Sequence, residues 1–114
     1  GQAPARQAIL GAGLPQSIRC TTVNKVCGSG MQTIILACNA IQANTLDIAI
    51  AGGMESMSNA PYLLPQARSG MRLGHSKVID SIIHDGLWDP YNDMHMGNCG
   101  ELCAEKYQFS RAKY

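Results

Sequence analysis

The chain has 114 residues, 46% of them hydrophobic and only 15% charged, with a formal net charge of +1. That length suits one domain, and so small a charge gives no global field for nucleic acid or for an anionic membrane surface. No apolar run approaches the ~20 residues that span a bilayer, and no signal-peptide pattern stands in order.

Residues 3–12 carry Ala, Ile and Leu at helical spacing with Arg6 and Gln7 between them, and the string GAG at 11–13 followed by Pro15 stops that helix. Residues 18–26, IRCTTVNKV, are rich in β-branched side chains and predict a strand. Met31, Ile34, Ile35, Cys38 and Ile41 then recur at helical spacing, with Leu36, Ala37 and Ala40 on the other side. A helix apolar all round is expected to be buried all round, Cys38 with it. The run LDIAIAGG at 46–53 has the pattern of a central parallel strand closed by two glycines, so 18–53 predicts one βαβ unit of an α/β fold. From Glu55 to about Asp93 periodicity fades under Pro61, Pro65, Gly70, Gly74, Gly86 and Pro90, with a short helix expected at 78–84. An excursion of that length is either functional or a small inserted subdomain. Helical character returns from Gly97 to Tyr107, and SRAKY at the end predicts the start of another helix. Both ends read as cut, so the chain is expected to be an internal piece whose apolar excess is covered by residues outside it.

Cys20, Cys27, Cys38, Cys99 and Cys103 form an odd set scattered through apolar sequence, which predicts free thiols and a reducing compartment, the cytoplasm. VCGSG at 26–30 puts Cys27 where strand gives way to helix. There the free N–H groups and the positive end of the helix dipole favour an anion; a thiol so placed ionises more readily, and the thiolate is the reactive species. Gly28 and Gly30 leave room for an acyl group and for close backbone approach. A small cysteine in a buried turn fits this motif equally well. A dinucleotide fingerprint needs a third glycine where Thr33 stands, and no phosphate-loop string occurs. His95, Cys99 and Cys103 lie at i, i+4 and i+8, but the outer two would be ~12 Å apart on a helix, too far for ligands within ~2.3 Å of one zinc; no metal site is expected. Arg68, Arg72, His75 and Lys77 could meet a phosphorylated ligand, though a solvated loop is the more frequent meaning of such a cluster.

Three strings in order, NKVCGSGM at 24–31, AGGMESMSNAPY at 51–62 and DGLWDPYNDMHMGNCGELCAEKY at 85–107, closely resemble the thiolase family, and within it the acetyl-CoA acetyltransferases. The resemblance implies a layered αβαβα fold of two similar halves. Residues 1–54 would be part of the N-terminal core, 55–96 a segment of an inserted loop domain, and 97–114 a helix continuing that domain. It implies that Cys27 is the acetyl-accepting nucleophile, with its own backbone N–H in an oxyanion hole, and that Leu87, His95 and Met96 contact coenzyme A. The strand near 20–25 would pair across a dimer axis, in a homodimer or homotetramer. The implied reaction condenses two acetyl-CoA to acetoacetyl-CoA and coenzyme A, reversibly, with no cofactor beyond the coenzyme A thioester itself. The family's catalytic His, second Cys and Asn-containing motif fall in the C-terminal half, so these 114 residues alone are expected to be inactive. A degradative 3-ketoacyl-CoA thiolase and a non-catalytic thiolase-fold binding protein are the alternatives; His95 before Met96-Gly97 resembles the acetyl-specific branch.

Overall fold

Pro4 opens the first helix, α1 (Pro4–Gly11), where its fixed φ suits the first turn and its missing N–H leaves no bond unmade. The helix ends as GAG predicted. Gly13 takes φ 73° and donates to the Leu10 carbonyl, while Leu14 donates to that of Ile9, the paired bonds of a left-handed helix stop. These observations come from a computed structural model describing residues 1–113. The chain divides into two units, Gly1–Glu55 and Ser56–Tyr114.

In the first unit the Arg6 guanidinium holds the connection after α1, donating to the Ile18 carbonyl at 2.8 Å and to that of Gln16 at 2.8 Å. The second helix, α2 (Ser29–Gln42), matches the apolar periodicity and ends as α1 does, with Asn44 at φ 54° in the glycine's place. Its surroundings differ from expectation. Met31 is 71% exposed, Ile34, Ile35, Leu36 and Ile41 are also exposed, and so is Cys38. Neither 18–26 nor 46–53 joins a ladder among the described residues; an isolated bridge between Lys25 and Cys27 is the β contact there. The predicted βαβ unit therefore has its helix but not its parallel strand pair. A strand exists only through a neighbour's hydrogen bonds, and Ile48 and Ile50, 85% and 77% exposed, lack the covering layer that a central strand needs.

The second unit is built from short pairings. β1 (Tyr62–Leu63) runs antiparallel to β2 (Ile79–Asp80), Tyr62 facing Asp80 and Leu63 facing Ile79. The helix expected at 78–84 arrives later. Asp80 still belongs to β2, its carboxylate accepts from the Ile82 N–H at 2.9 Å, and the helical turn that follows widens into a π-helical segment, Ile83–Leu87. A second hairpin, β3 (Trp88–Asp89) with β4 (Met94–His95), leads directly into α3 (Met96–Tyr107), one residue ahead of its predicted start. In place of the helix expected at the end there is one 3-10 turn, Arg111–Lys113; Tyr114, last residue of the predicted 97–114 segment, lies outside the described residues. No apolar side chain is fully buried among the described residues; Asp89, at 8% exposure, is the buried polar one. No helix is long and apolar enough to cross a membrane among those residues.

Candidate active site

Cys27 stands just outside α2, one position before the residue, Gly28, that caps the helix start, and it is exposed. The turn that carries it is tightly tied. Asn24 Oδ1 accepts from the Val26 N–H at 3.0 Å, and Ser29 Oγ accepts from the Lys25 N–H at 2.8 Å while donating to the Val26 carbonyl at 2.6 Å. Gly28 and Ser29 donate their own N–H groups to the Lys25 and Val26 carbonyls. These bonds hold Val26 at φ 49°, a left-handed conformation that a β-branched residue adopts only when its surroundings over-determine it. Backbone strain is thus stored next to the cysteine, which is lifted clear at a sharp entry into the helix. All five cysteines are free thiols, Cys20 half-buried beside Arg6 with its thiol donating to the Ile18 carbonyl at 3.5 Å.

In the second unit, the β3–β4 hairpin gathers the other three candidates. Trp88 faces His95 in register; Leu87 ends the π-helical segment just before β3, and Met96 opens α3 just after β4. Leu87 and His95 are half-buried and Met96 is 46% exposed. His95 closes the start of α3: its Nδ1 accepts from the Gly97 N–H at 3.0 Å, so a neutral ring carries its proton on Nε2. The hairpin turn is organised by Asp89. Its carboxylate accepts from the N–H groups of Tyr91 (2.9 Å) and Asn92 (3.4 Å), from the Asn92 amide (2.6 Å) and, at 4.0 Å, from the Cys99 thiol. The Asn92 amide above all, then the Tyr91 N–H, hold the Asp89 carboxyl below the ordinary carboxylate range. Trp88 Nε1 donates to Asp93 at 3.2 Å across the turn. Of the four basic residues, Arg72 lines a cavity of about 350 Å³ with Gln66, Ser69, Met71, Leu73 and Gly74. No cluster of three or more metal-ligating side chains occurs among the described residues.

Residues 1–114 match the N-terminal domain of thiolase along their whole length. The chain belongs to the thiolase family. Among curated thiolase relatives, acetyl-CoA acetyltransferase 1 of Arabidopsis thaliana is 60% identical over 111 residues, covering 97% of this chain and 27% of that protein. The acetyl-CoA acetyltransferase of Pseudomonas aeruginosa is 52% identical over 111 residues, 97% of this chain and 28% of that one. The chain thus spans little more than a quarter of the length of the curated relatives it matches. A crystal structure of a thiolase from Ascaris suum in complex with coenzyme A superimposes with a TM-score of 0.86 at 40% identity, over 98% of this chain and 29% of that one. The α/β fold is therefore that of the N-terminal part of a thiolase.

Several residues that shape the turns around Cys27 and His95 escape a reading of composition and periodicity. Asn24 two positions before Val26 is a recognisable turn signal, but a valine at the turn's strained position points the other way. Asp89 and Asn92 lie in a DPYND string whose turn chemistry is visible, although its flanking strands, two residues each, are too short to alternate.

Proposed function

We propose that the complete protein is an acetyl-CoA C-acetyltransferase working through an acetyl-cysteine on Cys27. The observation that carries this reading is the exposed Cys27 held at the mouth of α2 by a turn strained at Val26; the names of the curated relatives supply the substrate. The Cys27 thiolate attacks the thioester carbonyl of acetyl-CoA, a new carbon–sulfur bond forms, and the bond to coenzyme A breaks as its thiolate leaves. A base from outside these 114 residues then takes an α-proton from a second acetyl-CoA. The carbanion attacks the acetyl-cysteine carbonyl, a carbon–carbon bond forms, and Cys27 departs as thiolate; the proton goes to the released coenzyme A. Two acetyl-CoA give acetoacetyl-CoA and coenzyme A, and the balance closes without a resident cofactor or metal. Leu87, His95 and Met96 form the proposed contact with coenzyme A, a role supported by their places at or next to the paired residues Trp88 and His95 and by the coenzyme bound to the Ascaris relative. We further propose a homodimer or homotetramer in a reducing compartment, the cytoplasm, where five free thiols persist.

Acid quench of the complete protein after mixing with acetyl-CoA alone should place one acetyl group on the peptide that holds Cys27. Acetyl recovered on Cys99 or Cys103 instead, or near-normal turnover by Cys27→Ala, would overturn the reading.

A further inference from the structure

Within the first unit, the start of α2 meets the end of the 46–53 segment backbone to backbone. A Cβ placed on Gly53 would lie 3.1 Å from Gly30 Cα and 3.4 Å from Gly30 N, tighter than most side-chain carbons come to a main chain, so the neighbouring backbone must give by a few tenths of an ångström. A Cβ on Gly30 meets Gly53 N at 3.6 Å and Gly53 Cα at 3.7 Å, ordinary contact distances. The crowding is therefore one-sided, and Gly53 is the position where any side chain must push the helix. Beside this contact the Thr33 hydroxyl sits 2.7 Å from the Gly30 carbonyl and 3.0 Å from the Gly52 carbonyl. Its single proton is shared between the helix's own carbonyl and the crossing segment.

Gly30 is the second residue of α2 and lies three positions after Cys27. Between them Gly28 and Ser29 are bonded back to Lys25 and Val26, and Gln32 donates to the Gly28 carbonyl at 2.9 Å. These bonds tie the cysteine's turn to the helix's first turn, so a shift imposed at Gly30 is passed on toward Cys27. We propose that Gly53, together with the Thr33 hydroxyl, is a positioning device: a backbone stop that sets the height of α2 and hence the distance from Cys27 Sγ to the thioester carbonyl. This rests on Cys27 being the nucleophile. Neither Gly53 nor Thr33 need touch substrate, and their effect falls on the rate of acyl transfer rather than on the binding of coenzyme A.

The test uses the complete enzyme. Gly53→Ala should lower kcat by roughly 10- to 100-fold, the scale on which misplacing reacting atoms slows a reaction, while the KM for acetyl-CoA stays within about twofold. Thr33→Val, which keeps the shape but removes the hydroxyl, should slow acetylation of Cys27 severalfold, and Thr33→Ser should restore it. Should Gly53→Ala fail to fold, the Thr33 pair decides alone: equal rates for Val and Ser overturn the stop. So does an unimpaired kcat in folded Gly53→Ala, or a KM that rises while kcat holds. If the wild type is acetylated on Cys27 in these cases, the nucleophile stands and only the stop falls. If the wild type carries no acetyl on Cys27, the nucleophile and the stop fall together.

Discussion

A valine with positive φ beside an exposed cysteine is an expensive choice, and Val26 makes the trade measurable. The left-handed conformation costs an ordinary residue about 1–2 kcal/mol, whereas glycine adopts it freely at a backbone-entropy cost of about 0.5–1 kcal/mol. Val26 is 63% exposed, so little packing is lost on removing its side chain. Val26→Gly should therefore raise stability by up to about 1 kcal/mol, read as a higher urea midpoint, and lower kcat severalfold as the turn loosens; a lowered midpoint would mean that the valine packs against something. Met96 has a different kind of consequence. At 46% exposure it can accept a charge without a large loss of stability, but an aspartate there must be desolvated against an apolar ligand arm. Met96→Asp should raise the KM for acetyl-CoA about tenfold or more, since about 1.4 kcal/mol of lost binding already gives that factor, with a melting temperature close to wild type. Collapse of the melting temperature with a normal KM would make Met96 a packing residue.

At the scale of elements, the β3–β4 hairpin and α3 hang on one carboxylate. Asp89 is held below the ordinary carboxylate range by the Asn92 amide and the Tyr91 N–H, so its contribution is fully present above the ordinary aspartate value, near 4, and is lost as pH falls through the lowered folded value. Replacing it by Asn turns an acceptor toward the Asn92 amide into a competing donor. The melting-temperature gap between wild type and Asp89→Asn should be constant near neutrality and narrow below about pH 4; a gap unchanged down to pH 2 would show that the charge on Asp89 is immaterial. The helices were legible because their punctuation is local: Pro4 starts α1, Gly13 stops it, and α3 begins within a residue of its predicted place. The strands were not, because 18–26 and 46–53 have the right side chains but need a partner that composition cannot name. The helix expected at 78–84 slid to the far side of Asp80 because a carboxylate that can bond the Ile82 N–H makes a better helix start than the valine before it. The strings around Cys27 and His95 were readable as marks of the family, whereas the crowding at Gly53 arises only when two segments meet.

For the molecule as a whole, the absence of any fully buried apolar side chain among the described residues bears on what 114 residues can do alone. Burial at roughly 25 cal/mol per Å² is the main force opposing chain entropy, and Met31, Ile48 and Ile50 leave most of theirs unused. Expressed by itself, this chain should bind an apolar dye, melt without a sharp transition and transfer no acetyl group; turnover by the purified piece, free of complete enzyme, would refute that. Partners in both units lie close in sequence; in the first, Arg6 bonds Ile18, twelve positions on, and Thr33 bonds Gly52, nineteen on. In Ser56–Tyr114 Tyr62 pairs with Asp80, eighteen positions on, and Trp88 with His95, only seven on. Loops that short close early and rapidly. During synthesis these hairpins can form as soon as their own residues leave the ribosome, while the isoleucines of 46–53, translated earlier, wait uncovered. With Ile48 and Ile50 uncovered, that older stretch of nascent chain is where a chaperone would bind.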